Sequence, residues 1–129
     1  MTEPGHIRLL LVDDNDIVRM SLTVLLETLD GVVVVGEADN GQRAVELCDQ
    51  LQPDIVLMDL VMPIMDGVTA IGIIHQQHPH IPILALSSTI EADRIEAALE
   101  AGAVNYLPKH VPIDTLFDAI HNATDSHFP

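Results

Sequence analysis

Tryptophan is absent from the 129 residues, and aromatic residues make up only 2%. A site that grips a flat ring by stacking has almost nothing to be built from here. Cysteine occurs once, at Cys48, which excludes a disulfide within the chain. Positive charge is scarce. Arg8, Arg19, Arg43, Arg94 and Lys109 stand against 20 Asp+Glu, for a formal charge of −15 with histidines neutral. Such a surface repels phosphate backbones and anionic lipid, so direct binding of nucleic acid or membrane is not expected. No apolar run approaches the ~20 residues of a membrane span. The first residues lack the basic-then-apolar order of a secretion signal. The expectation is a soluble, cytoplasmic protein.

What the chain does have is enough apolar material for one core. Hydrophobic residues are 48% of the sequence, and its length suits a single domain that needs no covalent staples. Four apolar runs stand out: Ile7–Val12, Val32–Val35, Ile55–Met58 and Ile81–Leu86, with a weaker fifth at Val104–Leu107. Each is too short for a helix, and three show no polar alternation, as in strands buried on both faces of a parallel sheet. Between them lie stripes of helical period: Val18, Leu22, Leu25, Leu29; Ala44, Leu47, Cys48, Leu51; Val68, Ile71, Ile74; Ile95, Ala98, Leu99, Gly102; and Ile113, Leu116, Phe117, Ile120. Asn40–Gly41 reads as a helix start, and Pro112 is placed to open the last helix. Strand and helix alternate five times, which predicts a three-layer α/β domain with a parallel sheet and right-handed crossovers.

Polar residues gather where the strands end. The first strand runs into Asp13 and Asp14, the third into Asp59, the fourth into Ser87–Ser88 and the fifth into Pro108–Lys109. The carboxyl ends of parallel strands share one edge, outside which ligands of open α/β sheets bind. Three carboxylates, a hydroxyl and the single lysine are therefore expected in one small place. Two carboxylates ~4 Å apart repel by roughly 4 kcal/mol at an effective dielectric near 20. Either a proton or a cation must relieve this, and hard oxygen ligands suit Mg²⁺. A carboxylate nucleophile, a cation, a hydroxyl and an ammonium are equipment for phosphoryl transfer to aspartate.

These residues resemble the receiver domain of bacterial two-component response regulators. The resemblance rests on Leu11-Val12-Asp13-Asp14-Asn15, on Leu57-Met58-Asp59 through Pro63 to Asp66-Gly67, on Leu86-Ser87-Ser88, and on Ala101-Gly102-Ala103 through Tyr106 to Lys109. It implies a flavodoxin-like (βα)5 doubly wound fold with strand order 2-1-3-4-5. It implies that Asp59 accepts a phosphoryl group from a phosphohistidine on a sensor histidine kinase. Asp14, Asp59 and the backbone carbonyl of Val61 would hold Mg²⁺, and Asp13 would act through a metal-bound water. Lys109 would neutralise Asp59 and then the phosphoryl group. Ser87 would hydrogen-bond that group, and Tyr106 would be the aromatic switch, its plain alternative being an edge-strand aromatic.

The segment Val34-Val35-Gly36-Glu37-Ala38-Asp39-Asn40-Gly41 resembles receivers of NarL/LuxR-type regulators. Those carry a DNA-binding domain after a linker. Residues 1–124 are expected to form the receiver and 125–129 a tail or the start of a linker, with no output domain in the chain. Transcriptional output through a domain absent from this chain is expected, with a stand-alone receiver acting by protein contacts as the alternative. Homodimer formation on phosphorylation is expected, with no preferred face. A turnover enzyme is not expected: an aspartyl-phosphate phosphatase of the haloacid-dehalogenase type needs an acid two residues after its nucleophile, where this chain has Val61. A flavin module lacks its phosphate loop.

Two departures from the family pattern are visible: Pro108 and His110 flank Lys109, and Val61 is apolar where many members are polar, near the water path to the phosphoryl group, so it is expected to affect dephosphorylation. His110, not proline, follows Lys109, which favours a trans bond there. Pro108 is expected to cost the fifth strand a hydrogen bond, which an edge strand tolerates. Gly67 is expected to supply backbone freedom after Asp66, and Met62–Pro63 to shape a loop. His75, His78 and His80 read as a helix end and loop rather than as ligands, and Cys48 as a buried small hydrophobe.

Overall fold

The computed structural model describes residues 6–87 and 92–125. Ten elements alternate: β1 (Ile7–Val12), α1 (Asp16–Glu27), β2 (Val32–Ala38), α2 (Gly41–Leu51), β3 (Ile55–Asp59), α3 (Gly67–Gln77), β4 (Ile83–Ser87), α4 (Ala92–Ala101), β5 (Asn105–Pro108) and α5 (Ile113–Asp125). All strand pairs are parallel and the order is β2-β1-β3-β4-β5. This is the flavodoxin-like topology expected above.

The unbroken apolar runs of the central strands have a simple cause. Successive side chains point to opposite faces, and both faces are covered. Leu10, Val12, Val56, Met58, Ile83 and Ala85 pack against α2, α3 and α4. Their chain neighbours Leu9, Leu11, Ile55, Leu57, Leu84 and Leu86 pack against α1 and α5. Helix starts are capped by side chains that accept orphan amides: Asn15 from Ile17 and Val18, Asn40 from Arg43, Asp66 from Thr69.

Three local expectations change. In α1 the buried leucines are Leu22 and Leu26, while Leu25 lies on the solvent side; a 3.6-residue period carries Leu22 to Leu26, and the step to Leu25 leaves the core. In α4, Leu99 is likewise exposed and Ala98 is the buried residue. β2 continues to Ala38 because a bulge between its pairings with Leu9 and Leu10 sets Val35 out of register and resumes at Gly36.

Pro108 costs the sheet nothing. The amide of the next residue, Lys109, donates inward to the Ser87 carbonyl at 3.0 Å. Adjacent amides alternate in direction, so the donor that proline lacks would have faced away from the sheet. Lys109–His110 is trans, and no cis bond occurs among the described residues.

Cys48 is fully buried on α2, and burial pushes its thiol up to about 12. It is expected to resist thiol reagents in the native protein and to react at the rate of a free thiol in denaturant, which mass spectrometry after timed alkylation reads directly.

Candidate functional site

Four of the five strands deliver a polar residue to the carboxyl edge. Asp13 follows β1 and donates its amide to the Ala38 carbonyl at 3.0 Å, which anchors it to the end of β2. Its Oδ1 accepts from the Asn15 amide at 2.9 Å. Asp59 is the last residue of β3, Ser87 the last of β4, and Lys109 the first after β5. Asp13, Asp59 and Ser87 are buried, at 0%, 3% and 6% exposure, while Asp14 lies at the mouth of the pocket. Ser88 lies outside the described residues.

The three carboxylates each offer one oxygen, and these oxygens lie within 4.8 Å of one another. Lys109 Nζ lies 2.8 Å from Asp13 Oδ2 and 3.2 Å from Asp59 Oδ2. One ammonium thus faces two buried carboxylates. Burial pushes the Asp59 carboxyl up from 3.8 to about 6; the repulsion of Asp13 adds to this, and attraction to Lys109 opposes it. Burial works against the Lys109 charge, but Asp13 and Asp59 outweigh it and hold its pKa above the usual lysine value.

The donor set fits a hard divalent cation. Its oxygens converge, they are negatively charged, and a single ammonium leaves them under-neutralised. Asp13 Oδ2 meets the Lys109 ammonium at 2.8 Å, and that one ammonium is shared with Asp59 Oδ2 at 3.2 Å. Among the described residues this is the only group of three or more acidic, histidine or cysteine side chains placed to share a metal. His78 instead sits 3.6 Å from Asp49 and edge-on to His80. Val61 is half-exposed beside the pocket, and its amide approaches Asp59 Oδ1 at 3.4 Å. Tyr106 is 39% exposed on the edge strand β5.

Gly67 has a role that turn chemistry did not suggest. Its φ is not positive, so freedom of the backbone is not what it supplies. It supplies space: a Cβ there would collide with the Asp59 carbonyl oxygen and lie 2.7 Å from Leu60 Cα. The Gly67 amide also donates to the Leu60 carbonyl at 3.1 Å, so the start of α3 is seated directly on the end of β3. Nearby, Ile64 holds a φ of +69°, rare for a β-branched residue, in a tight turn closed by the Met65 amide on the Pro63 carbonyl at 2.7 Å. The role of Gly67 is set by its contacts with the end of β3, which turn chemistry alone does not reveal.

The fold and the acidic edge define a parallel α/β domain with a carboxylate-lined pocket at the carboxyl end of its sheet. Residues 9–121 match the response regulator receiver domain family, and the chain belongs to that family. It is a receiver domain of response regulators in two-component systems. It is 42% identical over 118 residues to the transcriptional regulatory protein LiaR of Bacillus subtilis (strain 168), an alignment spanning 92% of this chain and 56% of LiaR. It is 43% identical over 116 residues to YdfI of the same organism, spanning 90% of this chain and 54% of YdfI. The chain therefore spans about half the length of these curated relatives. Among solved structures it is similar to the signal receiver domain of the response regulator NarL from Mycobacterium tuberculosis, with a TM-score of 0.89, 30% identity, and 95% of this chain and 98% of that one covered. A LuxR-family two-component response regulator from Aurantimonas sp. SI85-9A1 gives 0.88 and 34% over 94% of this chain and 86% of that one. No helix among the described residues is long and apolar enough to cross a membrane.

Proposed function

We propose that Asp59 is the phosphoacceptor of a signalling switch, fed by a phosphohistidine of a sensor histidine kinase. The observation that carries this is the buried Asp59 carboxylate at the end of a central strand, 3.2 Å from the chain's single lysine. In the transfer an Asp59 oxygen bonds to phosphorus as the P–N bond breaks, and the departing imidazole takes a proton from solvent. Lys109 neutralises charge first on Asp59 and then on the phosphoryl oxygens. Ser87 donates its hydroxyl to the phosphoryl group. Asp14, Asp59 and the Val61 carbonyl would hold Mg²⁺, with Asp13 acting through a metal-bound water. Bound Mg²⁺ supplies charge neutralisation at the phosphoryl oxygens. Tyr106, on the exposed edge, changes its packing when the Ser87 region moves.

The similarity to transcriptional regulators, together with coverage of about half their length, supports transcription as the output. DNA contact would then belong to a domain outside these 129 residues, with homodimer formation and a cytoplasmic location as its setting. The chain itself is a self-modifying phosphoacceptor rather than a turnover enzyme.

Incubation with acetyl phosphate and Mg²⁺ is expected to add one phosphoryl group, located on Asp59 by intact-mass and peptide analysis. Chelation of Mg²⁺ or Asp59→Asn is expected to abolish the product. Labelling that persists undiminished in Asp59→Asn would overturn the assignment.

A further inference from the structure

We propose that Arg19 is a positioning residue for the acidic pocket, acting through the peptide link between Asp13 and Asp14. The inference rests on the reading of that pocket as a Mg²⁺ site. Arg19 lies on α1 and makes three contacts from one guanidinium. Nη1 donates to the Asp13 main-chain carbonyl at 2.7 Å. Nη2 donates to Asp16 Oδ1 at 2.7 Å, and Nε donates to Glu37 Oε1 at 3.1 Å. The side chain is only 18% exposed, so these are held contacts rather than the wandering of a surface arginine.

The partners come from three places. Asp13 belongs to the β1–α1 junction, Asp16 to the first turn of α1, and Glu37 to β2. The planar fork of donors ties all three together, a geometry that a lysine cannot reproduce. The first contact matters for the site. Asp13 is already held through its amide by Ala38 and through its carboxylate by Asn15. The carbonyl bonded by Arg19 belongs to the peptide unit that leads into Asp14, so fixing it fixes the plane from which Asp14 departs. Asp14 is exposed, and the aim of its carboxylate therefore depends on the backbone that carries it. Outer-shell contacts that orient ligands change metal affinity by about 10- to 100-fold when removed.

Charge and position predict opposite signs. Deleting a cation beside three carboxylates makes the pocket more negative, so electrostatics alone would tighten Mg²⁺ binding. Loss of the clamp would loosen the Asp13–Asp14 link and weaken it. The measurement is the Mg²⁺ dissociation constant by isothermal titration calorimetry for wild type, Arg19→Gln and Arg19→Lys, with amide exchange at Asp14 alongside. Arg19→Gln is expected to weaken binding about tenfold and speed exchange at Asp14. Arg19→Lys, which keeps the charge without the fork, is expected to weaken it too, and it carries the test if Arg19→Gln does not fold. With Mg²⁺ raised to saturation, the phosphorylation rate of a folded variant is expected to return to within about twofold of wild type, since no reacting group is lost. Unchanged or tighter binding in folded variants overturns the role of Arg19 while the Mg²⁺ site stands. A wild-type protein that binds no Mg²⁺ overturns both.

Discussion

Lys109→Met is expected to lower the thermal midpoint by roughly 10 °C at pH 8, corresponding to about 3 kcal/mol, and by far less at pH 5. The wild-type ammonium lies 2.8 Å and 3.2 Å from two buried carboxylates. Removing it leaves both carboxylates without that counter-charge, with only backbone amides beside them, and breaking a buried pair in this way is costly. The pH dependence follows from Asp59. Its folded pKa is raised, from 3.8 to about 6, so protonation favours the folded state. The associated stability is fully present below 3.8 and is lost as pH rises through about 6. The difference corresponds to about 3 kcal/mol at most when Asp59 is ionised, less whatever solvent penetrates the pocket. Without Lys109 the same carboxyl titrates higher still, so acidification restores part of the loss. Mg²⁺ at pH 8 is expected to restore part of it as well. Thermal unfolding followed by circular dichroism at the two pH values checks this. A variant equally destabilised at pH 5 and pH 8 would show that lost packing, not charge, is responsible.

Gly67→Ala is expected to cost about 3 kcal/mol in urea unfolding and to slow phosphorylation of Asp59 sharply. The added Cβ meets backbone, namely the Asp59 carbonyl oxygen and Leu60 Cα, and backbone in the middle of a sheet has little room to yield. Either α3 lifts or the end of β3 shifts, and the second displaces the phosphoacceptor itself. Gly72→Ala in the same helix is the control. Its Cβ would meet only Ala101 Cβ, at 4.0 Å, so the better helix former is expected to add about 0.5–1 kcal/mol. Two alanines of opposite sign within six positions cannot be explained by helix propensity. Equal stabilisation by both would mean that α3 is not seated on β3 as described.

Much of this arrangement was legible in the chain because the strands are buried on both faces. Leu9–Val12, Ile55–Met58 and Ile83–Leu86 have no polar side, so their positions were plain. Each run leads directly into a carboxylate or hydroxyl at its strand's end, so the places of Asp13, Asp59 and Ser87 followed. Less legible was anything set by contacts far apart in sequence. The choice of Leu26 over Leu25 depends on the pitch of α1 against β1 and β2. The bulge at Val35 depends on its partner strand. The space that Gly67 preserves depends on how α3 meets β3. Arg19 was counted as a scarce cation, but its three partners lie at separations of 3, 6 and 18 residues, a spacing that belongs to no short motif.

The outward direction of the missing Pro108 donor bears on assembly. β5 is one of the two unpaired margins of the sheet, and a bare margin invites a foreign strand to zip along it. The pyrrolidine ring projects where an incoming backbone would seek an amide, so growth by edge-to-edge addition stalls at that position. A chain of charge −15 adds long-range repulsion between copies. Backbone pairing along this margin, the kind that would lead to fibres, is thereby disfavoured at Pro108.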